Sequence, residues 1–163
     1  MIWTLTIKLL PHWKTENKWK CELEIDSSAT LPDLHLAIQK AVDFESSRRY
    51  EFYVAKSENS DKGRIRFISD PEDDYDSFIA EVFGIEVKRE FPPKEFALKD
   101  ATLSRVFPLP EKMKLFHRYD YVDDWRFQIS KKRIADQEPK ADTKYPRVVK
   151  EEGIKPLQYP EYE

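Results

Sequence analysis

The residues best equipped for chemistry are His117, Asp120, Asp123 and Asp124, which lie close together in the chain. An imidazole and three carboxylates make a donor set for a hard divalent cation, which prefers oxygen ligands and tolerates nitrogen. These acids also have a plainer use. Aspartate is a preferred turn residue because its carboxylate accepts hydrogen bonds from nearby backbone. Asp123 and Asp124 are neighbours, and in extended backbone neighbours point to opposite faces. The stretch therefore reads either as a divalent-metal site or as a turn shaped by its own acids. No resident cofactor is expected.

Other chemistries lack their residues. A single cysteine, Cys21, rules out an intrachain disulfide and Cys-rich zinc sites. Cys21 sits in an apolar series and reads as a small core residue. No Gly-x-Ser-x-Gly, His-Glu-x-x-His or Cys/His arrangement occurs, and three glycines (Gly63, Gly84, Gly153) cannot build a phosphate-cradling loop. No catalytic residue is assigned, and an enzyme is not expected. Basic residues at Arg48-Arg49, Lys62/Arg64/Arg66, Lys112/Lys114 and Lys131-Lys132-Arg133 offer a local stripe for nucleic acid. The balance of 28 basic to 31 acidic residues, net −3, disfavours generic phosphate binding.

The elements that must carry these residues show in the hydrophobic pattern. Trp3, Leu5, Ile7 and Leu9 alternate with polar residues, and so do Trp19, Cys21, Leu23 and Ile25. Two period-2 runs joined by Pro11–Asn17 predict an antiparallel hairpin with one buried face. A helix follows at Leu31–Phe44, with Thr30 as N-cap, Pro32 and Asp33 in the first turn, and Leu31, Leu34, Ile38, Ala41 and Val42 as its apolar stripe. His35 borders that stripe and reads as a core or boundary residue. Tyr50–Val54 and Arg64–Ile68 predict two more strands, the second with a basic face at Arg64 and Arg66. Asp70–Asp76 reads as a solvated loop, and Ser77–Val87 as a short helix ended by Gly84 or a helix then a strand. Ala101–Phe107 reads as a short helix capped near Asp100 or Thr102. Leu115–Ile129 predicts a second hairpin, with Leu115, Tyr119 and Tyr121 on one face and Trp125, Phe127 and Ile129 on the next strand.

This order predicts an α+β fold: a mixed sheet with a strand-strand-helix-strand-strand core, β-grasp-like, extended by the C-terminal hairpin. Trp3, Leu5, Ile7, Leu23, Ile25, Leu34, Ile38, Phe52, Trp125 and Phe127 should form the core. Residues 1–138 are expected as one domain, and 139–163 as a proline- and tyrosine-rich tail packed on it, with Tyr145 and Pro146 over the Leu115–Ile129 hairpin. The alternating N-terminus reads as a strand and not a signal peptide. No apolar run reaches the roughly 18 residues of a membrane helix. A cytoplasmic protein is expected.

Several of these segments carry a family resemblance. Leu34-His35, Ile38-Gln39 and Ala41 resemble the Leu-His…Ile-Gln…Ala helix of the plasmid pRi open-reading-frame-three-like family, which includes insertion-element passenger proteins. Tyr119-Asp120-Tyr121-Val122-Asp123-Asp124-Trp125 is similar to its Tyr-Asp-Phe-Gly-Asp-x-Trp hairpin. Trp19-Lys20 and Tyr145-Pro146, with Gly153 and Pro156, resemble its Trp-Arg element and its tail. Val122 stands where the family has a turn glycine, and Lys155-Pro156-Leu157 where it has Pro-Pro-Glu. The resemblance implies a link to mobile elements and no particular activity. The resulting expectation is a non-catalytic protein-interaction module with an unidentified protein partner. Its candidate binding residues are Trp19, Tyr119, Asp120, Asp123, Asp124, Trp125 and Tyr145. Nucleic-acid binding and the metal site are the alternatives.

Overall fold

A computed structural model describes residues 1–69, 80–84 and 94–160 of the chain. The strands are β1 (Ile2–Leu9), β2 (Trp19–Asp26), β3 (Tyr50–Ala55), β4 (Ile65–Ile68), β5 (Lys94–Ala97), β6 (Lys114–Tyr119), β7 (Trp125–Lys131) and β8 (Arg147–Gly153). Helix α1 spans Leu31–Val42 and the short α2 spans Leu103–Val106. The expected loop at Asp70–Asp76 lies outside the described residues. Of Ser77–Val87, residues 80–83 are helical and Gly84 stands at φ +66, where a glycine ends a helix without steric cost.

All eight strands form one sheet in the order β5-β4-β3-β6-β7-β1-β2-β8. Every pairing is antiparallel except β4 with β5, so the sheet is mixed and the fold is α+β. The β6–β7 hairpin does not extend an edge. It lies between β3 and β1 and joins the two halves, so the first strand pair never touches β3. The expected strand-strand-helix-strand-strand core is therefore not contiguous, because the hairpin separates the β1–β2 pair from the β3–β4 pair. The hairpin can take this place because both of its strands bury side chains on both faces or nearly so.

Local chemistry sets α1 where the sequence places it. Thr30 Oγ1 accepts from Asp33 N at 3.2 Å and Asp33 Oδ2 accepts from Thr30 N at 3.0 Å, a reciprocal capping box. The helix stops when Asp43 enters the left-handed region at φ 59. Leu31, Leu34, Ile38 and Val42 then pack onto Leu5, Ile7, Leu23, Ile25, Phe52 and Phe127 in one core. Each fully buried aliphatic side chain there contributes about 1.5–3 kcal/mol. Ile7 and Ile25 share this face, as the hairpin requires. Trp3 is half-buried at its margin and packs edge-on against Phe107, with ring centroids 6.0 Å apart.

The opposite face of β3 and β6 is buried too, with Tyr53, Ala55, Phe116 and Leu10 in a second cluster. The tail supplies β8, which pairs with β2 with a register irregularity between Glu22 and Leu23. Tyr145 and Pro146 therefore lie against β2 and α1 and not over the hairpin. Backbone pairing with β2 decides their position, because it satisfies a whole row of amide groups at once.

Candidate functional site

The residues of the hairpin motif meet at one end of the sheet. Asp120 takes φ 62 and its Oδ1 accepts from the backbone N–H groups of Val122 and Asp123 at 3.0 and 3.2 Å. Asp124 N donates to Asp120 O at 2.6 Å, and Asp124 itself stands at φ 60. The left-handed positions of this turn thus fall on two aspartates, which adopt them readily. That explains Val122: its position needs no glycine, and the side chain simply points to solvent. The left-handed step at Asp120 also ends the alternation of β6. Tyr121 consequently does not follow Tyr119 into the helix-side core but lies under the Arg118 guanidinium, 5.0 Å from its ring.

The surrounding loops close over this turn. The ring of His12 stacks on Trp125 at 3.7 Å and its Nε2–H donates to Asp123 O at 2.5 Å. Lys14 Nζ reaches Asp123 Oδ2 at 2.5 Å and Gln158 O at 3.3 Å. Glu45 O accepts from Tyr119 OH, from Gln39 Nε2 and from Gln158 Nε2, while Gln158 Oε1 accepts from Glu45 N at 2.7 Å. His35 and Gln39, the polar members of the helix motif, face this same end. Two distant sequence signatures therefore serve one polar latch that ties α1, the β6–β7 turn and the end of the tail together.

Beneath the latch lies a histidine pair. His35 Nδ1 and His117 Nε2 are 2.9 Å apart, and both residues are buried. His35 stacks flat on Tyr50 with centroids 3.5 Å apart. Burial pushes the His35 imidazole down to about 4, and burial together with His35 holds His117 well below its ordinary value. Both are neutral at pH 7. His117 Nδ1 is buried without a partner. We assign the tautomer in which His117 Nε2–H donates to His35, which leaves a lone pair and not an N–H unsatisfied.

The other face of the sheet carries an ionic network. Glu51 on β3 accepts from Arg66 Nε and Nη2 on β4 at 2.7 and 2.5 Å, and Arg118 Nη1 approaches it at 3.8 Å. Arg118 and Arg126 both donate to Asp124 Oδ1, at 2.7 and 2.9 Å. Burial would raise the Asp124 carboxyl, but the two arginines outweigh it and hold it below the usual carboxylate range. The sequence does not single out Glu51, Arg66 and Arg118 as a group: Glu51 stands opposite Arg118, but Arg66 stands opposite Tyr53 and reaches Glu51 diagonally, so the grouping depends on strand register.

The four candidate metal ligands are therefore dispersed. His117 pairs with His35 on the helix side, Asp120 caps the turn, Asp123 holds Lys14, and Asp124 holds two arginines. Among the described residues no three His, Cys, Asp or Glu side chains group as a metal site. The candidate binding residues are divided as well. Trp19, Tyr119 and Trp125 are core, the three aspartates are engaged internally, and Tyr145 lines an open groove. Cys21 is core, and burial with the neighbouring Glu151 and Glu22 pushes its thiol up to about 12. The basic stripe is broken: Arg66 is turned inward onto Glu51, and Lys132 is held by Glu22 at 2.5 Å.

An open groove of about 970 Å³ lies between α1 and the tail. Its floor is Leu23 and Ile25 of β2. One wall is a second stripe of α1, Asp33, Leu36, Ala37 and Lys40, and the other is Tyr145, Pro146 and Val148. Leu36 is 58% exposed and Val148 41% exposed. Leu36 lies off the helix's core stripe, which is the signal the sequence offered for it. Charges of both signs stand around the apolar floor, among them Asp26, Lys144, Glu151 and Lys155.

The chain matches the family described as plasmid pRiA4b ORF-3-like protein over residues 3–158. A comparison with curated proteins found no match. Among solved structures the chain is similar to the crystal structure of MM3350, a protein of unknown function from Methanosarcina mazei Go1. The TM-score is 0.62 at 19% identity, covering 92% of this chain and 68% of that one. At that identity the likeness speaks to the fold alone. No helix among the described residues is long and apolar enough to cross a membrane.

Proposed function

The chain belongs to the plasmid pRiA4b ORF-3-like family, and from that premise we propose that it is a non-catalytic protein-interaction module. The observation that carries this reading is the α1–β8 groove, an apolar floor with exposed Leu36 and Val148 inside a rim of mixed charge. Such a surface fits an amphipathic segment of a partner, with apolar side chains against Leu36 and Val148 and polar ones toward the rim. The titratable groups support the same reading by being occupied elsewhere. Cys21 is sealed in the core, His35 and His117 bind each other, and the turn aspartates hold backbone, lysine and arginine. The partner is a protein in a cytoplasmic setting, and the link to mobile elements rests on the family's plasmid designation.

The test places a photo-crosslinking phenylalanine analogue at Leu36, and in a second protein at exposed Lys56 on the β3–β4 loop. Irradiation in cells should give one discrete adduct from position 36, identified by mass spectrometry, and none from position 56. Leu36→Glu should abolish partner binding while leaving the melting temperature unchanged. Equal crosslinking from both positions, or none from position 36, overturns the proposal.

A further inference from the structure

A second concavity, of about 580 Å³, lies where β1, β7 and the chain after α2 meet, and it shares no lining residue with the α1–β8 groove. Its apolar part is made by Trp3, Phe107 and their neighbours, and its rim carries Lys114, Lys131 and Arg133 against a single acid, Asp136. Lys131 sits over the Trp3 ring at 4.8 Å and reaches Asp136 at 3.8 Å. Lys114 and Arg133 are exposed and make no ion pair among the described residues. They differ from Arg66, Arg118, Arg126, Lys132 and Arg147, each of which is matched by a carboxylate, and they leave three cations around one acid at this rim. Lys114 from one basic segment and Lys131 and Arg133 from another thus meet at one aromatic groove.

We propose that this groove binds an acidic peptide segment, with one large apolar side chain seated against Trp3 and Phe107 and flanking carboxylates on Lys114 and Arg133. The unpaired cations supply the charge complementarity, and the volume falls within the range of about 300–1,000 Å³ typical of ligand pockets. A nucleic-acid strand is the poorer occupant. Lys131 lies over one face of the Trp3 ring, which restricts stacking by a base more than edge contact by an aliphatic side chain. The net charge of −3 also opposes a long polyanion. A peptide needs only a local match.

The experiment is selection of a random twelve-residue phage-displayed peptide library on the full chain. Enriched clones should carry at least two acids flanking one large apolar residue. Binding of the best clone, as a fluorescein-labelled peptide, should fall at least tenfold in Lys114→Glu/Arg133→Glu and weaken with salt. The charge-matched control Lys56→Glu/Lys99→Glu should bind as the parent does. Both doubles alter exposed side chains, and their melting temperatures should equal the parent's. Absence of enrichment, enrichment without acids, or equal loss of binding in the two doubles overturns the proposal. So does binding of fluorescein-labelled single-stranded dT12 as tight as the peptide's and lost in Lys114→Glu/Arg133→Glu, which would assign the groove to nucleic acid.

Discussion

Asp120 is a case of one carboxylate doing several structural jobs. Its side chain satisfies two turn N–H groups, its backbone occupies the left-handed region, and its own N–H donates to Arg49 O at 2.8 Å. Asparagine retains an oxygen at the same place and tolerates the same φ, whereas alanine provides neither. Asp120→Asn should therefore change stability by less than about 1 kcal/mol. Asp120→Ala should cost about 2–4 kcal/mol, from the unsatisfied turn amides and the strained backbone together. Urea unfolding of the two variants checks this; equal losses would mean that the negative charge, and not the acceptor, is what the turn requires.

At the scale of elements, the strands and α1 are legible because each buries one regular face, and periodicity reports that directly. Their order in the sheet is not, since a hairpin reveals its own pairing and nothing about which edge receives it. The β6–β7 hairpin could be recognised, but nothing in Leu115–Ile129 says that it lies between β3 and β1. The candidate site was less legible still. Trp19, Tyr119 and Trp125 read as binding rings because sequence shows an aromatic but not what covers it, and Leu36 went unmarked for the opposite reason. Strand β8 runs on past Val149 through Lys150, Glu151 and Glu152, which have poor strand propensity; pairing with β2 overrides it. Its end is fixed by Gly153 at φ +88, where an added Cβ would stand 2.0 Å from Lys18 O. Gly153→Ala should release the end of β8, seen as faster amide exchange over Lys150–Ile154, and cost more than about 2 kcal/mol. Val122→Gly should go the other way from what the family's turn glycine implies. With the left-handed positions at Asp120 and Asp124, glycine at 122 only loosens the unfolded chain, lowering stability by about 0.4–1 kcal/mol in a urea melt.

Across the whole molecule the sheet separates two kinds of interior. The helix side is apolar apart from Gln39 and the neutral His35–His117 pair, and the other side holds charges matched by Glu51 and Asp124. The histidines make global stability depend on pH. Unfolded, both imidazoles titrate at about 6.5; folded, His35 is lowered to about 4 and His117 further, because burial excludes the charged form. Below the unfolded value the unfolded chain binds protons that the folded chain refuses, so stability is complete above about pH 6.5 and is lost as pH falls toward 4. Two such groups give a slope of up to about 2.7 kcal/mol per pH unit. The third imidazole, His12, is lowered by partial burial and adds a smaller increment of the same sign. Carboxylates such as Asp124, whose folded value is depressed, begin to lose their contribution only below about pH 5, as the unfolded carboxylates start to protonate. The interval from about pH 5 to 6.5 therefore belongs to the histidines. His117→Phe keeps an aromatic ring among Phe52 and Phe127 and removes one of the two excluded protons. Its unfolding free energy should vary with pH about half as steeply across that interval, while the parent shows the full slope. An unchanged slope would mean that the folded chain admits a proton at the pair, and that the buried imidazoles are not what opposes acid.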